Sequence, residues 1–430
     1  MNPNRVSLEY FLSHAKTHHA LTTASMLVAL LAPLTVRLIG WPGLLAAVSV
    51  LVALCAGAVW ALRLDLEVRH LPLTLCAFAA FAIVSPLWSR YLPESIGSAL
   101  YFLGFVVLAA YIALARDLIQ ILRSFATACR IVILGSYAVE VLVGIIFDTT
   151  FATLRVHGNL AGGGPIQGLF GENTTLGAFA VLALVTFVIE LRARATSRWV
   201  AWGSIVLAVG LIVLSGSAIA RASAVGAVVI LGVLALIASR PPSERRGVQG
   251  ILVVAVALGG LLVWISRWNV VEFFGAESEA NFRLAVWRKI MPLVQFNAQI
   301  GRGFLGRWDM ETPPYSLIGP VNARQVLDSS STYIDVLFQL GLIGLILFLL
   351  MLFAGLIRAW LLAARRKSVL HQWPAVILTV LASQGLVMSN LLWEFGLLLL
   401  VICVVKVSHE ITWRKVLAPI PERFDPTLGK

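Results

Sequence analysis

The sequence predicts an all-α, polytopic integral membrane protein, and three observations predict it. Hydrophobic residues make up 59% of the 430 and charged residues 13%, where soluble domains average about 45–50% and about 25%. The mean hydropathy is +0.91. The apolar residues also gather into runs of about 20, the helix length that crosses ~30 Å of hydrocarbon. The same composition excludes a water-soluble enzyme and long disordered tails, because few stretches are polar enough to escape burial.

In chain order the runs fall at 21–41, 43–62, 71–88, 97–115, 126–147, 174–190, 199–216, 218–238, 248–266, 332–357, 369–389 and 391–407. That is about twelve transmembrane helices in a single membrane domain spanning 1–430. The polar start of the chain is not followed by a short apolar core and a small-residue cleavage site, so no removable signal peptide is expected. An even number of crossings puts both termini on one side. The formal charge of +12, from 33 Lys+Arg against 21 Asp+Glu, first suggests nucleic acid. Position explains it better. Arg63 and Arg69, Arg192, Arg194 and Arg198, Arg240, Arg245 and Arg246, Arg365, Arg366 and Lys367, and Arg414 and Lys415 all fall on one side. Cytoplasmic segments carry such an excess, so both termini are expected there and no nucleic-acid partner is implied.

Two segments on the other side break the pattern of short connections. One is the Gly-rich stretch 148–173, and the other is the long loop 267–331 between the ninth and tenth helices. Long loops in compact domains are usually functional. Within the long loop, 281–293 predicts a short amphipathic helix. Phe282, Val286 and Ile290 recur at i, i+4 and i+8 and would lie against lipid or the bundle. Arg283 and Trp287 share a neighbouring face. That pair fits an interfacial helix anchored by Trp and Arg, or a cationic fork that binds phosphate bidentately. Arg155 adds a cation to the first loop. Arg221 lies just past the SGSAIAR turn, where an arginine needs a partner or a wet cavity, or else snorkels to the headgroups.

Only His157 of the seven histidines falls on the outer side. No His/Cys/Asp/Glu set has zinc spacing, which disfavours a metallohydrolase and leaves no expected metal or other cofactor. Cys55, Cys76, Cys129 and Cys403 sit in apolar runs and read as packing residues. A general base would have to come from His157, Glu172, Asp328 or Asp335, each of which also has a purely structural reading. Asp335 falls in the first turn of the tenth helix, where a carboxylate is costly unless paired. Glu140 and Glu394 read as helix–helix glue. GGGP at 162–165 is not followed by Lys-Ser/Thr, so no nucleotide-binding loop is present. A group transferred on the outer face must arrive already activated, most simply as a lipid-linked diphosphate.

Three segments resemble the O-antigen ligase and polymerase superfamily of bacterial envelope glycosyltransferases. GLFGENTTLG at 168–177 opens a span after an Arg-containing outer loop. RLAVWRKIMPLVQFNAQIGRG at 283–303 carries Arg-x-x-x-Trp and then a Gly-x-Gly turn. SSTYIDVLFQLGLIG at 330–344 enters a span through Leu-Gly-Leu-x-Gly. With about twelve spans and one large outer loop, the resemblance covers most of the chain. It implies a GT-C-like fold with short amphipathic helices in a large periplasmic loop, and a metal-independent, inverting glycosyltransferase of the bacterial inner membrane. The implied donor is an oligosaccharide on undecaprenyl diphosphate. The other implied partners are a glycan acceptor, membrane lipids, a chain-length regulator and a flippase. Carried over by position, Arg283 is the foremost diphosphate ligand, then Arg155 and Arg221, then Arg288. Preorganised cations can stabilise the leaving diphosphate without a metal.

One departure matters. Ligases of this superfamily carry His-Asn where this chain has Ser330-Ser331, and serine cannot replace imidazole as a base near neutral pH. Either His157, Glu172 or Asp335 deprotonates the acceptor, or departure of the diphosphate drives the step. The departure favours a polysaccharide polymerase joining lipid-linked repeat units at the periplasmic face. The alternatives are an O-antigen ligase transferring glycan to lipid A–core, and a flippase or transporter of lipid-linked oligosaccharides. Against a transporter stands the asymmetry of the polar residues, because alternating-access folds usually show related halves.

Overall fold

Apolar runs make the helices of this protein, and glycines decide where those helices break. The computed structural model describes residues 15–61, 71–147, 150–241, 244–308, 313–322, 324–326, 328–366 and 368–410. Arg5, Arg63, Arg69, Asp148, Lys367, Arg414 and Lys415 lie outside the described residues. Among the described residues there is no strand, only the isolated bridges Phe151–Val156 and Val321–Arg324.

The helices are α1 (Ala15–Leu30), α2 (Ala32–Ala61), α3 (Leu73–Val84), α4 (Leu92–Ala115), α5 (Leu118–Val141), α6 (Asn173–Arg192) and α7 (Arg198–Leu214). They continue with α8 (Ala218–Ser239), α9 (Arg245–Ile265), α10 (Arg267–Phe273), α11 (Glu277–Gln295), α12 (Thr332–Arg365), α13 (Gln372–Gln384) and α14 (Glu394–Glu410). Six stretches among the described residues are helical, long and apolar enough to cross a membrane: Ala32–Trp60, Leu92–Ala115, Leu118–Ile146, Asn173–Arg192, Ala218–Ser239 and Thr332–Arg365. The expected count was about twelve. Other runs form shorter helices, such as α7 with 17 residues and α13 with 13.

The first break is at Gly40, with φ +73. Backbone hydrogen bonds Leu31→Leu27 and Thr35→Leu31 carry the helix across Leu31, so the expected runs 21–41 and 43–62 lie on either side of Gly40. Helices apolar around their whole circumference take the centre of the bundle. In α14 every residue from Phe395 to Val407 is buried, as are most of α6 and α13.

A second break anchors the long loop. Gly341 interrupts α12 with φ +66, and the chain just after α11 docks into the gap. Leu342 N–H donates to Ala298 O at 2.8 Å, Ile343 N–H to Gln299 O at 3.1 Å, and Arg302 N–H to Gln339 O at 2.9 Å. Gly301, at φ +69, faces Gly341 so closely that a Cβ on either would overlap the other strand's backbone. These are the glycines of the Gly-x-Gly and Leu-Gly-Leu-x-Gly segments. The Gln339 side chain then holds the next turn, accepting from the N–H groups of Leu305 and Gly306 at 3.0 Å each.

The remainder of the loop builds a small core of its own. Val286 and Ile290 of α11 are fully buried among Leu305, Trp308, Tyr315, Ile318 and Val326. The amphipathic face expected to meet lipid or the bundle therefore packs against the loop and against Phe338 and Ile334 of α12.

Alanine at Gly301 or Gly341 would add backbone strain of ~1–3 kcal/mol besides the overlap. Thermal unfolding in detergent should show a clear fall in Tm for either variant. Gly232→Ala, where no atom lies within 4 Å of the added carbon, should leave Tm unchanged.

Candidate functional site

The start of α6, the start of α12, the end of α13 and the start of α14 meet at one end of the bundle, and the two long loops close over it. Arginines enter this end from four segments. Arg37, on the turn of α2 before Gly40, donates to the carbonyls of Leu154, Leu169 and Phe170. It thereby pins the Gly-rich stretch, which Glu140 fixes from below by accepting from the N–H groups of Gln167 and Gly168 at 2.7 Å each. Glu140 thus anchors loop backbone rather than gluing two helices. Arg155 sits in the exposed turn between Phe151 and Val156.

Arg283 projects from α11. Its Nε donates to Val387 O at 3.1 Å, and its Nη2 lies 3.5 Å from Glu279. Only 11% of its side chain is exposed. Burial lowers its pKa, opposed by the charges of Glu279, Asp328 and Glu172. Arg307 follows the Gln339-held turn and pairs with Glu394 at 2.8 Å. Glu394 also accepts from Tyr101 Oη at 3.0 Å, so it too binds a loop rather than a second helix alone. Desolvation works to lower the pKa of Arg307, but the Glu394 charge and hydrogen bond outweigh it and raise the value.

Carboxylates intersperse these cations. Glu172 precedes α6 and accepts from the Thr175 hydroxyl at 2.8 Å. Its tip is open to solvent, yet the surrounding protein desolvates it. That effect raises its carboxyl above the ordinary value, with Asp328 and Glu279 adding to it and Thr175 and Arg307 opposing. Asp328 is half-buried and takes the Ser330 N–H at 2.6 Å. Burial raises its carboxyl too, against the pull of Ser330, Arg307 and Arg283. Arg37, Arg155, Glu172, Arg283, Arg307 and Asp328 thus lie within electrostatic reach of one another as a connected set. Arg155, Ser330 and Glu394 all hold positive φ, at 53°, 55° and 38°. Such strain in non-glycine residues gathers at functional sites.

Of the residues expected from sequence, Arg155, Glu172, Arg283 and Asp328 come together here. Asp335 lies close by but is 1% exposed, with Oδ1 held by Trp308 Nε1 at 2.9 Å. His157 is exposed, and its ring makes no hydrogen bond or ion pair among the described residues; only its N–H is engaged, by Gln167. Arg221 reaches Phe274 O at 2.8 Å, toward α10. Arg288 is exposed, and five residues along α11 from Arg283 it points roughly 140° away. The last three are not drawn into the set.

Arg37, Arg307 and Glu394 are the site residues that sequence reasoning passed over. Arg37 and Glu394 stand close to apolar runs, where an ionisable side chain is a functional candidate by default, and that signal could have found them. Arg307 was visible only as one of several basic residues in the long loop.

A mostly apolar recess of about 440 Å³ has Arg307 and Glu94 in its lining. Trp41 and Leu45 of α2, Gly97 and Tyr101 of α4, and Trp308 and Trp393 line it. Trp41 and Leu45 remain 41% and 44% exposed, so its outer edge lies on the apolar flank of the bundle. Among the described residues no three His, Cys, Asp or Glu are grouped to hold a metal ion.

Residues 204–349 match the family model for O-antigen ligase. The match agrees with the superfamily resemblance of the three segments. It runs from α7 into α12, and so contains Arg283, Arg307, Asp328 and the Gly301–Gly341 contact, whereas Arg37, Arg155 and Glu172 precede it. No curated protein matches the chain. The match supports a membrane-bound, glycosyltransferase-like enzyme of the ligase/polymerase type, and similarity to that family implies lipid-linked glycan substrates.

Arg37→Ala removes three charge-assisted hydrogen bonds from the Gly-rich stretch. Hydrogen exchange should quicken at least ~10-fold across residues 154–171, while Arg221→Ala should leave that stretch as protected as before.

Proposed function

We propose that the protein is a polysaccharide polymerase that joins undecaprenyl-diphosphate-linked repeat units at the periplasmic face of the bacterial inner membrane. One observation carries this reading. The recess, mostly apolar, is lined by Arg307, which belongs to a set of arginines that also includes Arg283, Arg155 and Arg37. A ligand that fits both parts has a long hydrocarbon tail joined to a compact multiple anion, which is the chemistry of a polyprenyl diphosphate.

In this reading both termini are cytoplasmic, the chain is one membrane domain, and the loops 148–173 and 267–331 form the periplasmic face of the site. Transfer is metal-independent and inverting. Arg283 and Arg307 hold the diphosphate, with Arg155 at its exposed edge, and negative charge that develops as the sugar–phosphate bond breaks meets cations already in place. Arg283 is poised for that exchange, since Glu279 stands at 3.5 Å and an incoming phosphate would displace a weak ion pair. Arg37 positions the Gly-rich wall. A flippase would supply the donor to this face, and a chain-length regulator would act on the growing product.

The second reading is an O-antigen ligase that passes glycan to lipid A–core, favoured by the family description of residues 204–349. Purified protein supplied with an undecaprenyl-diphosphate-linked repeat unit alone separates the two. A ladder of longer lipid-linked glycans marks a polymerase. Transfer only after lipid A–core is added marks a ligase, and no product under either condition would sink both.

Arg283→Ala should cut turnover by at least ~100-fold with membrane insertion and abundance unchanged. Arg283→Lys should recover little of it, because a lysine cannot hold both Val387 O and a phosphate in the same fork. Near-wild-type product from well-inserted Arg283→Ala protein would remove this residue from the site.

A further inference from the structure

Glycosyl transfer to a hydroxyl needs somewhere for the hydroxyl's proton to go. Four carboxylates pair with the arginines or lie in their field, and three are already committed; Glu94 lines the recess but does not join that set. Glu279 serves Arg283 and Arg324, at 3.5 and 2.8 Å. Glu394 serves Arg307 and Tyr101. Glu172 takes the Thr175 hydroxyl at the mouth of α6.

Asp328 is different. It lies in the field of both Arg283 and Arg307, yet among the described residues it is ion-paired to neither. One oxygen, Oδ1, is fixed by the Ser330 N–H at 2.6 Å, and the Ser330 side chain adds to the pull that opposes the raised pKa of the carboxyl. The Asp328 side chain thus closes a turn on the backbone two residues on, and Ser330 itself holds φ +55, a left-handed conformation rare for serine. The carboxylate is half-buried, so an incoming hydroxyl can still reach it.

From this geometry we infer that Asp328 is the catalytic base of the transfer, with Ser330 as the positioning residue that orients its carboxylate. The inference rests on the glycosyl-transfer reading above. The acceptor O–H gives its proton to the Asp328 carboxylate as its oxygen bonds to the anomeric carbon. The bond from that carbon to the diphosphate oxygen breaks, and the electron pair leaves with the diphosphate, facing Arg283 and Arg307. Asp328 releases the proton to solvent before the next cycle. Asp335 cannot serve in its place, since Trp308 covers it and it is 1% exposed.

The charged groups that face Asp328 are Arg283 from α11, Arg307 from the loop, Glu172 from the start of α6 and Asp335 from α12. Burial raises the Asp328 carboxyl above the ordinary aspartate range. The base is active only when ionised. Its rate is therefore present above the raised pKa and lost as pH falls through it, at higher pH than an ordinary aspartate would give.

The test uses full-length protein and an undecaprenyl-diphosphate-linked repeat unit, and measures kcat and KM against pH. Asp328→Asn should lower kcat by ~100-fold or more, leave KM for the donor within about threefold, and remove the acid limb. Asp328→Glu, which keeps a carboxylate should the amide fold poorly, should retain part of the activity with the limb displaced. Ser330→Ala keeps the N–H bond and should slow kcat by less than ~10-fold while shifting the limb. Folded Asp328→Asn with near-wild-type kcat, an unchanged limb in Asp328→Glu, or a loss confined to KM would overturn the assignment. No product from the wild-type protein with this donor, with or without lipid A–core, would instead overturn the transfer reading and the base with it.

Discussion

Two glycines in backbone contact hold this site together. Gly301 and Gly341 face each other at a separation that no side chain could share, and the hydrogen bonds on either side make the loop a continuation of the broken helix. From that anchor the chain is held at each step. Gln339 grips the turn at Leu305 and Gly306, Arg307 follows at once, and Glu394 receives it. A long loop would ordinarily be free to vary its shape. Here, helix α12 supplies both its docking slot and the side chain that holds its next turn.

Charge next to hydrocarbon obeys a second constraint. Arg37, Arg283 and Arg307 each have a guanidinium partly occupied by carbonyls or by a carboxylate, and Arg155 is exposed, so none is left bare in a desolvated place. Arg37 is saturated by carbonyls and acts as a structural clamp. Arg283 and Arg307 keep room for an external anion, one through a long ion pair to Glu279 and the other through partial exposure. Asp328 sits in their combined field without pairing to either, an arrangement suited to accepting and releasing a proton.

The apolar recess joins these two themes. Its walls come from α2 and α4, early in the chain, and from the long loop and Trp393, with Arg307 of the loop and Glu94 of α4 as its charged members. An amphiphile entering from the flank would bring its anionic end to the arginines with its tail still among apolar side chains. Geometry of that kind suits a lipid-linked glycan better than a free sugar, which would have no use for the hydrophobic walls.

The sequence by itself determined that the protein is helical and membrane-embedded, where most helices lie, and which glycine segments matter. Those features are local: run length and composition set a helix, and Gly-x-Gly marks a backbone turn wherever it occurs. Arg155, Glu172 and Arg283 were legible for the same reason, each standing in or beside a recognisable segment. Only the tertiary structure decided which charges meet. Arg37 and Glu394 come from opposite ends of the chain, and nothing local distinguishes a clamping arginine from one that snorkels. Val286 and Ile290 showed an apolar face for lipid or the bundle, but that loop residues and α12 together would cover it depended on residues far along the chain. Convergence of side chains is set by packing between elements, and that information is spread over the whole fold.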